Sequence, residues 1–265
     1  MPYKHGRPVI NLSVFFYMAS YLVIYICVPI AYIINYLMFF TGYKNRFYLK
    51  NIRKAITVSN HTTVLDPVKI LVLTLPELIY QTLLERTVEF PFLGTFTRIL
   101  GGVPIPRGIG GYKRILEILR PGFKQGNSSA HYAFSGFNFH RFMHFYPEGE
   151  CFLYNQKINK FKPGAFLIAA ELDVPVIPLV TVFREGPFKA WSFLGRSIPI
   201  ETLVVLKPVY PGNYVKRNEK GEFTSESIKE FSEIVRNKMQ AEIDKRGGTS
   251  AFYRGQMQRL KGIND

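Results

Sequence analysis

From Pro8 to Tyr43 the chain carries no Asp, Glu, Lys or Arg, a run of 36 uncharged positions rich in Tyr, Phe, Ile, Leu, Val and Met. A helix needs roughly 20 mostly apolar residues to cross a bilayer, whereas a secretory leader has an apolar core of only about 7–15. The run is therefore predicted to be a membrane anchor rather than a cleaved signal or a core helix. Pro29 and Asn35 interrupt it, so one tilted span and a bent pair of helices dipping into a leaflet both fit. Lys4 and Arg7 precede the run, and Lys44, Arg46, Lys50, Arg53 and Lys54 follow it. The positive-inside bias predicts an anchor in the cytoplasmic (inner) membrane, with the rest of the chain facing the cytoplasm.

The 265 residues suffice for one medium domain plus this appendage. The expected division is an anchor over 1–45, a catalytic domain over 46–246 and a basic, loosely ordered C-terminal tail over 247–265. Lys and Arg number 34 against 19 Asp and Glu, a formal net charge of +15. Much of the positive charge crowds just after the anchor, where anionic lipid attracts it at about 1 kcal/mol per residue. No nucleic-acid module is visible, so membrane lipid rather than nucleic acid is the expected partner. Cys27 and Cys151 make no disulfide framework.

Beyond the anchor, buried-strand runs alternate with helical patterns. Strands are expected at 55–60, 78–82, 102–106, 142–146, 174–180 and 203–209, and helices near 67–75, 90–100, 111–120, 163–172 and 227–245. The alternation predicts an α/β fold, a mixed and largely parallel sheet flanked by helices, with the N-terminal membrane-embedded helical segment added. In the last helix Ser227 and Glu230 read as a capping box, and Ile228, Phe231, Val235 and Met239 fall on one stripe. The polar and aromatic stretch 126–140 reads as a loop or short irregular helix.

The chemistry begins at Ser59-Asn60-His61-Thr62-Thr63-Val64-Leu65-Asp66. Five residues on a continuous helix are about 500° of rotation, which would point His61 and Asp66 apart. A strand end followed by a turn brings them together, and Asp66-Pro67 suits an N-cap and first helical position. A histidine held by a carboxylate is a general base for a hydroxyl. Three further blocks follow in order. Gly101 to Gly108 holds one charge, Arg107, suited to clamping a phosphate. Tyr146-Pro147-Glu148-Gly149 ends a strand with a carboxylate, which can accept from a substrate hydroxyl, or with a backbone that can cradle an anion. Val174 to Val180 is a proline-bracketed apolar strand, expected to wall a crevice for an acyl chain.

Together these blocks resemble the lysophospholipid acyltransferases, the family of bacterial 1-acyl-sn-glycerol-3-phosphate acyltransferase. That family carries Asn-His-x-x-x-x-Asp, a Gly-rich block ending in Arg, Phe-Pro-Glu-Gly and Val-Pro-x-x-Pro. Here they fall as Asn60-His61 to Asp66, Gly102 to Arg107, Tyr146 to Gly149 and Val174 to Pro178, a likeness over about residues 50 to 210. The resemblance implies that His61 deprotonates the hydroxyl of a lysophospholipid acceptor, whose oxygen attacks an acyl thioester directly while Asp66 orients the imidazole. It implies Arg107, Glu148 and Gly149 around the glycerol phosphate, with Asn60, in the same block as the base, as a further substrate-binding residue. The donor is acyl-CoA or acyl-carrier protein as co-substrate, and neither cofactor nor metal is needed. The first-choice product is phosphatidate.

Two departures stand out. Pro104 and Pro106 replace the usual apolar residue and acid, and Glu150-Cys151 replaces Thr or Ser followed by Arg. Either Lys157, Lys160 and Lys162 supply the missing charge as point donors, or the acceptor is a lysolipid other than lysophosphatidate. A Cys151 nucleophile is disfavoured by its acidic neighbours, no G-x-S-x-G elbow exists, and His131, His140 and His144 lack ligand spacing for a metal. A non-catalytic lipid-binding protein on the same fold is the alternative from another class.

Overall fold

The structure is a computed structural model and describes residues 14–75, 79–84, 87, 93–105, 109–124, 142–186 and 199–258. Arg107, the 126–140 stretch, Lys4 and Arg7 lie outside these residues. The expected α/β architecture is present. Seven strands form one sheet: β1 Gly42–Lys44, β2 Ala55–Ser59, β3 Ile79–Leu84, β4 Gly102–Ile105, β5 Phe142–Phe145, β6 Val176–Arg184 and β7 Ile200–Val205. Their order is β1-β7-β6-β2-β5-β3-β4. The five strands from β6 to β4 run parallel; β7 is antiparallel to β6, and β1 runs parallel with β7. β2 is central, and all five of its residues are buried. That is why it reads as an unbroken apolar run rather than an alternating one.

The described helices are α1 Val14–Phe39, α2 Phe47–Lys50, α3 Asp66–Thr74, α4 Leu93–Ile99, α5 Ile109–Lys124, α6 Gly164–Leu172 and α7 Ser225–Lys245. They cover both sheet faces. Ile56, Val58, Val176, Val180 and Val182 pack with Ile115 and Leu119 of α5, Phe166 and Ala169 of α6, and Phe231, Val235 and Met239 of α7. On the other face Ala55, Ile79, Ile177 and Leu179 meet Ile70 to Leu73 of α3 and Ile24 and Val28 of α1. Both sides of β6 are thus filled by core, so this strand does not wall an acyl crevice as expected. In a doubly covered sheet, apolar runs mark burial by the protein's own helices.

α1 is a single helix with Pro29 inside it. Ser20, Ile24, Val28, Asn35 and Phe39 are buried, a stripe about 28 Å long at 1.5 Å per residue. The opposite face exposes Phe15, Met18, Leu22, Ile26, Ile30, Ile33 and Leu37. Met18–Leu37 is long and apolar enough to cross a membrane, at a mean hydropathy of 1.8. Two of its basic followers belong to the domain's edge, and one of them has its charge committed there. Lys44 ends β1, and the Arg46 guanidinium donates to the carbonyls of Leu73 at 3.0 Å, Val72 at 3.3 Å and Leu75 at 3.0 Å, capping the negative end of α3.

Three local expectations need correction. β1 lies inside the expected 1–45 anchor; with three residues it is too short to give a sequence signal. The cap of α7 is Thr224, whose Oγ1 accepts from Ser227 N, while the Ser227 hydroxyl turns to Lys216, so the helix starts earlier than the expected box. The tail is held as far as Met257. Leu153 N donates to Gly255 O, Arg254 N to Leu153 O and Met257 N to Cys151 O, while Thr249 N reaches Phe183 O. Backbone pairing is indifferent to the polar, basic side chains that suggested loose order.

Phe231 is fully buried between Phe166 and Tyr214. Phe231→Ala is expected to cost about 3–5 kcal/mol of stability, measured as a lowered unfolding midpoint with no change in the sheet's circular dichroism below it.

Candidate active site

β2 stops at Ser59, and its direction is held one residue further by Asn60. The Asn60 amide donates to Thr181 O at 3.1 Å and accepts from Thr181 N at 2.9 Å, copying a strand's pairing onto β6. With both halves of its amide used, Asn60 fixes the strand end and is not a group that reaches a substrate. The chain then turns away from the sheet through His61, Thr62 and Thr63 into α3. Asp66 is the first residue of α3 rather than its cap, which is Leu65. Its carboxylate folds back over the turn that precedes it.

That carboxylate is a hub. Oδ2 accepts from His61 Nδ1 at 2.9 Å, Thr62 N at 2.6 Å and Thr63 N at 2.9 Å. Oδ1 accepts from Thr63 Oγ1 at 2.7 Å and from Lys69 Nζ at 2.8 Å. Burial by itself raises the acid's pKa, but the Lys69 charge and the bonds from His61 and Lys69 prevail and hold it well below the usual carboxylate range. An ionised carboxylate only accepts, so His61 Nδ1 carries a proton, and in the neutral imidazole Nε2 is the nitrogen with the lone pair. The His61 side chain is 21% exposed against 3% for Asp66. The imidazole is the part of the dyad that is open to the outside.

The end of β5 builds the other side. Tyr146 stacks on the His61 ring at 4.1 Å between centroids and 24° between planes. Glu148, buried, uses Oε1 to accept from His61 N at 3.2 Å and Oε2 to accept from Asn159 N and Nδ2, both at 3.0 Å. Burial pushes its pKa up, opposed by the Asn159 and His61 bonds. Glu148 therefore anchors the base's own backbone, in place of the expected bond to a substrate hydroxyl. Gly149 takes φ +78°, and a Cβ there would collide with the Lys162 side chain, whose backbone N donates to Pro147 O at 2.8 Å. Gly149 and Lys162 thus sit together beside Glu148, while Lys160 is exposed in the same loop. Burial and the Asp66 charge push the Cys151 thiol up to about 12, with Lys69 opposing, which removes it as a nucleophile.

Sequence reasoning left three groups without their roles. Lys69 and Glu201, both buried, form an ion pair behind Asp66, and Thr41 Oγ1 donates to Glu201 Oε2 at 2.9 Å. Each is a charge with uncharged immediate neighbours, in Val68-Lys69-Ile70-Leu71 and Ile200-Glu201-Thr202-Leu203. Buried charges need partners, so each was a signal that an opposite charge lies near. The third is His144, with Nδ1 2.9 Å from Thr57 Oγ1 and Nε2 3.0 Å from Ser59 Oγ, a core residue and no ligand.

The fold and site define a class: an α/β domain with a carboxylate-held imidazole at the C-terminal ends of adjacent parallel strands, equipped to accept a proton. Residues 42–182 match the Acyltransferase family model, and the chain belongs to that family. It is also similar to the solved 1-acyl-sn-glycerophosphate (LPA) acyltransferase PlsC of Thermotoga maritima, with 16% identity and a TM-score of 0.47 over 87% of this chain and 96% of that one. The sequence matches none of the curated proteins with which it was compared.

Burial, followed by the His61 charge, pushes the His144 pKa down to about 3. Its unfolded counterpart takes up a proton near pH 6.5, so the folded state loses stability as pH falls below that value. The free energy of unfolding is expected to drop as pH falls from about 6.5 towards 3, by a few kcal/mol in total, and His144→Gln is expected to flatten that slope.

Proposed function

We propose that this protein is a membrane-associated O-acyltransferase that moves a fatty acyl group from acyl-CoA or acyl-carrier protein to the free hydroxyl of a lysophospholipid. The acceptor of first choice is 1-acyl-sn-glycerol-3-phosphate, giving phosphatidate. The observation that carries the reading is the 2.9 Å bond from His61 Nδ1 to a buried, ionised Asp66, which leaves the accessible imidazole's other nitrogen basic. His61 Nε2 takes the hydroxyl proton as the oxygen attacks the thioester carbonyl. The tetrahedral intermediate collapses with loss of the C–S bond, and the leaving thiolate receives the proton from the imidazolium. Asp66 stabilises that cation throughout.

The phosphate end is assigned to Arg107 and to Lys162 and Lys160 beside Gly149, with Asn60 and Glu148 supporting the base. Three cations suit a doubly charged phosphate. The apolar outer face of α1 supports a site working at a lipid surface, and the basic residues after it support the cytoplasmic leaflet. Substrate and product then stay in the bilayer, avoiding a transfer cost of about 0.8 kcal/mol per CH₂. The second acceptor reading, a lysolipid with a larger head group, is favoured by Glu150, which places an acid next to the expected phosphate pocket.

Two measurements test this. His61→Ala and Asp66→Asn, assayed by thiol release from acyl-CoA with lysophosphatidate, are expected to lower kcat by about 10²–10⁴ with little change in KM. Undiminished release by His61→Ala would refute the mechanism. In a panel of lysolipid acceptors, lysophosphatidate is expected to give the highest kcat/KM; if it ranks last, the phosphatidate assignment falls and acyl transfer stands.

A further inference from the structure

Behind the dyad lies a chain of buried polar groups that the proton transfer just described does not use. Asp66, Lys69 and Glu201 are 2%, 1% and 0% exposed. Lys69 Nζ bonds Asp66 Oδ1 at 2.8 Å on one side and Glu201 Oε1 on the other. Glu201 Oε2 accepts from Thr41 Oγ1 at 2.9 Å, and Thr41 follows the last residue of α1 by two positions. Stability is a weak reason for such a cluster, since a buried ion pair can often be replaced by packed apolar residues without loss. Its charge sum offers a better one.

We propose that Lys69 and Glu201 are positioning residues for the base: Lys69 keeps Asp66 an ionised acceptor aimed at His61, and Glu201 sets the cluster's net charge to favour the imidazolium. The inference rests on His61 being the base. One cation against two carboxylates leaves a net charge of −1 in the resting cluster, which becomes neutral when His61 takes up a proton. Without Lys69, two buried carboxylates would face each other and one would hold a proton, taking the acceptor away from His61. The other groups facing the cluster are His144 on β5, Tyr146, Glu148, Cys151 and Tyr154 after it, Tyr43 on β1 and Arg46 before α2. Burial keeps the Tyr43, Tyr146, Tyr154, Cys151 and His144 side chains neutral at working pH, and the Arg46 guanidinium is spent on the end of α3. The field at His61 is therefore set by Asp66, Lys69 and Glu201 together with Glu148, whose Oε1 accepts from His61 N at 3.2 Å.

The test is Glu201→Gln in the full chain, a change of charge at nearly constant shape, with pH–rate profiles for acyl-CoA and lysophosphatidate in mixed micelles. Removing one negative charge makes proton uptake by His61 less favourable. The acidic limb of the kcat/KM profile is expected to move to lower pH by about one unit, with kcat reduced about tenfold and the acceptor KM unchanged. Lys69→Met is expected to lose about 10²-fold in kcat, and a melting curve separates this from loss of fold. If His61→Ala abolishes turnover while folded Glu201→Gln keeps both its kcat and its acidic limb, the positioning role is overturned and the base survives. If His61→Ala retains turnover, both fall.

Discussion

A carboxylate with no access to water has to be satisfied by the protein, and at Asp66 that requirement shapes everything around it. Its two oxygens gather a ring nitrogen, two backbone N–H groups, a hydroxyl and an ammonium. The backbone donors belong to Thr62 and Thr63, so the turn between β2 and α3 is folded around the charge. The ring donor fixes the tautomer of His61, and the ammonium brings Glu201 and hence β7 into the arrangement. Removing the acid would leave five donors without their acceptor, far more than one lost contact.

The second organising influence is the sheet. Because β2 and β5 are adjacent and parallel, their C-terminal ends open at the same edge, and Tyr146 and Glu148 arrive beside His61 without any long loop. The backbone continues this scheme outward. Phe152 N donates to His61 O and Tyr154 N to Thr62 O, and residues 255 to 257 pair with the far side of the same segment. The base therefore stands on three backbone segments bonded side by side, which give it a defined position at an otherwise irregular edge.

The fold and the dyad were legible in sequence for a common reason: both are local. Apolar runs give strands, and a five-residue spacing after one of them gives His61 and Asp66. Asn60 and Glu148 were read as substrate contacts because residue type reveals hydrogen-bonding capacity but not the partner, and their partners are Thr181 and Asn159. Glu201 lies 132 positions from Lys69, so nothing local connects them. α1 failed to show its packing face for a different cause. In a segment that is apolar all round there is no polar contrast to mark the Ser20, Ile24 and Val28 side from the rest.

Asn60 has one more implication, in chemical ageing. Its amide is read by Thr181 in both polarities, as donor to the carbonyl and acceptor from the N–H. Hydrolysis of that single amide to a carboxylate would replace the donor with an oxygen facing the Thr181 carbonyl, two acceptors with no proton between them. The strand end would part from β6 one residue before the base. A slow reaction at an internal, silent position would thus disarm the site without touching any group that meets the substrate. The same paired geometry that creates this weakness restrains the backbone from reaching the conformations through which such amides cyclise, so the lock also protects itself.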